Sequence, residues 1–138
     1  MTTPIPLGVF TAADSPVESM ARRLVEKVAG VVITLRTDSW EALINSSNLS
    51  ETLVLLDADL DEVDPFDRIR LLRRLGARVI VMRQADAPKA VLRDMAAGSE
   101  ASMLVSQSSR RLASQVRLSA GRAALIEQRK KELRTEVE

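Results

Sequence analysis

Asp57 follows a stretch, Thr52-Leu53-Val54-Leu55-Leu56, that carries no charge, and two further acids, Asp59 and Asp61, come within four residues of it. An uncharged run rich in Leu and Val reads as a strand covered on both faces. In an open parallel sheet the functional groups sit just beyond the carboxyl ends of the strands. An acid placed there is either a working group or a turn residue. A calcium loop is the poorer reading of Asp57, Asp59 and Asp61, because the turn glycine and the terminal glutamate of such a loop are missing. The chain contains no cysteine and no histidine, which excludes disulfides, thiol catalysis, zinc-type ligation and a Ser-His-Asp triad.

The elements that would position Asp57 can be read from caps and periodicity. Leu7 to Ala12 is a short first strand. Ser15-Pro16 opens a helix bearing Val17, Met20, Ala21, Leu24 and Val28, and Gly30 stops it. Val31 to Leu35 is a second strand, and Asp38-Ser39-Trp40-Glu41 has the capping-box pattern of a short helix ending at Ile44. Trp40 is expected to plug the core locally. After the Asp57 strand, Asp64-Pro65 starts a helix whose apolar face is Phe66, Ile69, Leu72 and Leu75. Arg78 to Met82 is a fourth strand. Asp86-Ala87-Pro88 starts a helix closed by Gly98, and Ser102 to Val105 is a weak fifth strand. Strand and helix alternate five times, which predicts a parallel sheet with helices on both faces and right-handed crossovers.

From Ser108 or Ser109 the chain reads as helix to its end. Leu112, Val116, Ser119, Ala123, Ile126, Lys130, Leu133 and Val137 step by four and three residues, a heptad seam. From Leu112 to Val137 such a helix is about 38 Å long at ~1.5 Å per residue, so it should overrun the sheet. The expected division is a domain over 1–121 and a helical extension over 122–138, pairing two copies of the chain or linking to a further element. Gly121 lies inside it, where glycine costs about 1 kcal/mol relative to alanine.

With 138 residues, 46% hydrophobic and 28% charged, the totals describe one domain with a sizeable core. The net charge of +1 gives no global attraction to nucleic acid or membrane, and 2% aromatics leaves no stacking platform for single strands. Gly8 stands alone, without the glycine-rich turn of a dinucleotide site. No leader-like start and no membrane-length apolar run is present, so a cytoplasmic protein without membrane contact is expected.

Leu53-Val54-Leu55-Leu56-Asp57, the Asp14-Ser15-Pro16 turn, Arg78-Val79-Ile80-Val81-Met82 and Val91-Leu92-Arg93-Asp94-Met95-Ala96-Ala97-Gly98-Ser99 together resemble the receiver domain of a bacterial response regulator of the LuxR type. The resemblance spans residues 5 to 121. It implies an α/β, flavodoxin-like three-layer sandwich with a five-stranded parallel sheet in the order 2-1-3-4-5, here followed by an extended C-terminal helix. It places Asp57 at the phosphoacceptor aspartate. Asp14 matches the second of two magnesium-binding acids, and the first is Ala13 here. The hydroxyl residue ending the fourth strand is replaced by Arg83, the lysine after the fifth strand by Val105, and the aromatic switch residue by Ser102.

Phosphoryl transfer to a carboxylate needs a divalent cation against crowded negative charge and a cation on the transferred group. Both are weakened here, so Mg²⁺ is disfavoured and no cofactor is expected. Asp14, Asp59 and Arg83 then form a degenerate acidic pocket around the phosphoacceptor-like Asp57. Adjacent strands lie ~4.8 Å apart, so Arg83 is expected to pair with Asp57 in place of the metal. The expectation is a receiver without enzymatic activity and without a working phosphorylation site. It would act through a homodimer formed by its last helix and through a protein partner or small ligand. DNA would be met only by a separate helix-turn-helix domain. The alternatives are a receiver phosphorylated at Asp57 and a standalone interaction adaptor.

Overall fold

The structure, a computed structural model, describes residues 4–61, 63–107 and 109–137, with side chains described as far as residue 135. Five strands, β1 Ile5–Phe10, β2 Val31–Thr37, β3 Leu53–Asp57, β4 Arg78–Arg83 and β5 Ala101–Leu104, alternate with five helices. The helices are α1 Pro16–Lys27, α2 Trp40–Ile44, α3 Pro65–Arg74, α4 Pro88–Ala97 and α5 Ser109–Val137, with one 3₁₀ turn at Leu49–Glu51 before β3. All pairings are parallel, in the order β2-β1-β3-β4-β5.

Capping chemistry sets most helix starts. Ser15 Oγ accepts from the Glu18 amide at 3.1 Å, Ser39 Oγ from the Ala42 amide at 3.2 Å, and Asp64 Oδ1 from the Phe66 amide at 3.0 Å. The start of α4 differs: Ala87 stands at its N-cap and offers no side-chain acceptor, so Pro88 alone marks that start. Gly76 and Gly98 close α3 and α4 at φ of 90° and 112°, in the left-handed region where a Cβ is strained. β1 begins two residues before the sequence reading, because the Ile5 amide still finds the Gly30 carbonyl at 2.8 Å beside β2.

The pleat divides the core in two. Leu7, Val9, Leu53, Leu55, Ile80 and Met82 face α1 and α5, where they meet Val17, Leu24, Leu112 and Val116. Phe10, Val54, Leu56, Val79 and Val81 face the other side, against Leu43, Ile69, Leu72 and Ala97 of α2, α3 and α4. Trp40 packs edge-on against Phe10 with ring centroids 5.7 Å apart, a local plug as its sequence position suggests.

α5 corrects the heptad reading. Leu112, Val116 and Ser119 are fully buried in their own domain, so they are not available to a seam between two copies. Burying a Leu or Val contributes about 2 kcal/mol each, and the helix is pinned further by polar contacts. Arg78 Nη1 donates to the Ser119 carbonyl at 2.7 Å and to its Oγ at 2.8 Å, and Arg117 reaches the Lys27 carbonyl at 3.4 Å. Ala123 is half-buried, whereas Ile126 and Leu133 are exposed. Val137 ends the helix, and its side chain lies outside the described residues. With 29 residues, α5 is about 43 Å long and does overrun the sheet.

Candidate functional site

β3 runs through the middle of the sheet with all five residues buried, and it delivers Asp57 to the carboxyl edge with 6% of its surface exposed. Thr11, directly after β1, donates its hydroxyl to Asp57 Oδ2 at 2.6 Å, and the Asp59 amide donates to Asp57 Oδ1 at 2.9 Å. Thr11 and Ser15 hydroxyls lie 2.6 Å apart. A hydroxyl has one proton. Since that of Thr11 is used on Asp57, Ser15 must donate to Thr11, while Ser15 accepts from the Glu18 amide. The chain Glu18 N–H, Ser15, Thr11, Asp57 therefore has one direction, and it ends on a carboxylate with both oxygens engaged.

The other acids do not complete a metal site. Asp14 sits in the β1–α1 turn at φ 61°, a left-handed conformation that Asp tolerates, and its exposed carboxylate makes none of these bonds. Ala13 beside it supplies no oxygen ligand from its side chain. Asp59 turns away: its Oδ2 accepts from the Gln84 amide at 2.8 Å, tying the loop after β3 to the loop after β4. Among the described residues no group of three acidic side chains converges as a cation ligand set.

Arg83 does not pair with Asp57, which corrects the sequence expectation. Asp57 lies opposite Met82 in the parallel register, and Met82 faces α1 and α5. Arg83, one residue further, falls on the opposite face of the pleat, toward α4. There its Nε and Nη2 form a fork on Asp94 Oδ2 and Oδ1, at 3.0 and 2.7 Å. Ser102 of β5 adds a hydroxyl to Asp94 Oδ2 at 2.9 Å. Asp94 is 1% exposed and the Arg83 side chain 13%. A buried, fully hydrogen-bonded cluster thus joins β4, α4 and β5. Val105 packs against the core on the α1 and α5 side, and its amide bonds to the Arg83 carbonyl at 2.8 Å.

Asp94 and Thr11 escaped the sequence reading. Asp94 is a charge on the inward stripe of α4, between Val91 and Ala97 at three-residue spacing, which is the signal that could have exposed it. Thr11 is a hydroxyl at the inner end of a buried strand. At the rim, Arg68 stacks over Trp40 and Phe10, 4.9 and 5.3 Å from the ring centroids, and pairs with Asp61 at 2.8 Å.

No protein-family model matches the sequence, and no curated protein matches it. Solved structures do. The NarL signal receiver domain from Mycobacterium tuberculosis superposes with a TM-score of 0.73 at 17% identity, covering 87% of this chain and 98% of that one. The chain has the receiver-domain fold. A LuxR-family two-component response regulator from Aurantimonas sp. SI85-9A1 matches with a TM-score of 0.69 at 18% identity, over 91% of this chain and 87% of that one. A response regulator from Burkholderia pseudomallei, solved with a phosphorylated aspartic acid, a calcium ion and citrate, matches at 0.67 and 15% identity, over 89% and 72%. On this receiver fold, Asp57 occupies the carboxyl end of the central strand, and the Arg83–Asp94–Ser102 cluster occupies the β4–α4–β5 corner.

Proposed function

We propose that this domain is a signalling receiver that works without phosphorylation of Asp57 and transmits by protein contact. The observation that carries the reading is the Arg83–Asp94–Ser102 cluster. In the receiver family, by the resemblance drawn above, the positions of Arg83 and Ser102 hold a hydroxyl and an aromatic residue that respond to phosphorylation. Here the same positions are tied to one buried carboxylate. Moving Arg83 out would leave Asp94 buried with only the Ser102 hydroxyl, at a cost of several kcal/mol, and moving Ser102 out would remove one further bond from the same carboxylate. Such a corner supports one conformation rather than two.

Asp57 supports the same reading. Its oxygens are held by a hydroxyl and an amide, and among the described residues no cationic side chain pairs with it. In a LuxR-type regulator of transcription, DNA would be read by a separate domain. The second reading, phosphorylation of Asp57, draws on its position at the end of the central strand.

Incubating the chain with acetyl phosphate and Mg²⁺, followed by intact mass measurement, separates the two. Unmodified protein is expected. A stoichiometric phosphoryl adduct that disappears in Asp57→Asn would establish the second reading instead.

A further inference from the structure

The second half of α5 carries an apolar stripe that its own domain leaves open. Leu118, Leu125, Ile126 and Leu133 are 50–64% exposed. At 3.6 residues per turn they share one face, about 100° wide, with Arg122 and Arg129. The buried residues Leu112, Val116 and Ser119 lie on another face, about 100° round the helix. Leu118 and Leu125 lie well off the buried face, whereas Ile126, seven residues after Ser119, and Leu133 border it, so the stripe runs alongside the face packed on the sheet and is left open by it.

Charge selects what can cover it. α5 holds eight Arg and Lys against three Glu, a net of +5, while the chain as a whole is +1, so the remainder is −4. No carboxylate among the described residues pairs with Arg122 or Arg129; the ion pair found among the described residues of this half is Lys130 with Glu127 at 3.7 Å. A second copy fits poorly. In a parallel pair each arginine meets its own equivalent. In an antiparallel pair that sets Leu118 against Leu133, Arg122 meets Arg129. Nucleic acid would neutralise the arginines but leave the leucines in water. An anionic bilayer would meet Glu132 on the edge of the stripe and find no aromatic anchor. A helix with leucines at three- and four-residue spacing and glutamates beside them satisfies both the apolar and the cationic positions.

We infer that the Leu118–Leu133 stripe docks an acidic amphipathic helix of a partner protein. This names the partner chemistry for the contact-based signalling proposed above and rests on that reading. It is independent of the state of Asp57.

The test uses the full chain and a labelled synthetic helix with Leu at alternating three- and four-residue spacing flanked by Glu, followed by fluorescence anisotropy. Saturable binding is expected. It should weaken at least tenfold in Leu125→Asp and in the double variant Arg122→Glu/Arg129→Glu. Replacing Glu by Lys in the peptide should restore binding to the double variant. These side chains are exposed, and unchanged circular dichroism and melting will confirm that the variants fold. Four outcomes overturn the inference: no saturable binding; equal binding of a scrambled peptide; tighter binding to duplex DNA or phosphatidylglycerol vesicles; or a self-dimer in sedimentation that Leu125→Asp dissolves. The acetyl phosphate experiment reads Asp57 alone, so a failure there is distinguishable from a failure here.

Discussion

Two acids lie on neighbouring parts of the carboxyl edge and are treated in opposite ways. Asp57 receives only a hydroxyl and a backbone amide. Asp94 receives a two-pronged guanidinium and a second hydroxyl, with almost no solvent contact. Among the described residues the acid in the position for chemistry has no cation paired with it, and the cation on the next strand is committed to an acid with a structural task. A carboxylate held by neutral donors keeps its shape but gains little help for phosphoryl transfer. A carboxylate held by a fixed guanidinium becomes a clasp between three elements. The contrast assigns rigidity to the β4–α4–β5 corner and leaves Asp57 as its quieter neighbour.

If this contrast is right, damage at Asp94 must exceed damage at Thr11. Asp94→Ala strands a mostly buried guanidinium and should lower stability by about 3 kcal/mol in urea unfolding. Replacing both partners, Arg83→Met with Asp94→Leu, should recover most of that loss, because an apolar pair of similar volume has no desolvation to offset. Thr11→Val keeps the shape and removes one donor from Asp57, for a loss of about 1–2 kcal/mol. Ser119→Ala leaves Arg78 with the carbonyl alone and should lower stability by about 1 kcal/mol. Burial already holds the Arg78 guanidinium below its ordinary pKa, chiefly by desolvation, so its acceptors matter.

The smallest effect is an acid one. Glu18 is held below the usual carboxylate range first by the Asp14 amide and then by Arg22, and Asp64 first by the Phe66 amide and then by Arg93. Carboxylates depressed in the folded state stabilise it above their unfolded pKa, and that stability is lost as pH falls through the folded value. Glu18→Gln and Asp64→Asn should therefore lower the melting temperature slightly at neutral pH and flatten its decline on acidification below about pH 4, where parent and variants converge.

The fold was legible because local signals agreed. Ser15 and Asp64 cap where their sequence contexts say, Ser39 caps one residue after the Asp38 that the capping-box pattern implies, and Gly76 and Gly98 stop α3 and α4. The partners within the site were not legible in the same way. Strand spacing alone put Arg83 within reach of Asp57, but the pleat decides the face, and the register sets Met82 rather than Arg83 beside Asp57. Asp94 escaped notice because its partners arrive from β4 and β5, eleven and eight residues away. The heptad pattern of α5 was real, but its first half answers to the domain's own core. Periodicity shows which residues share a face and not what covers that face.

The most direct measurement is a ¹H–¹⁵N spectrum of the chain titrated with beryllofluoride and Mg²⁺, with Arg83, Asp94 and Ser102 assigned. Resonances at these three residues, the Arg83 guanidinium included, are expected to stay in place. Saturable shifts at all three that vanish in Asp57→Asn would show a switchable corner and contradict the locked one.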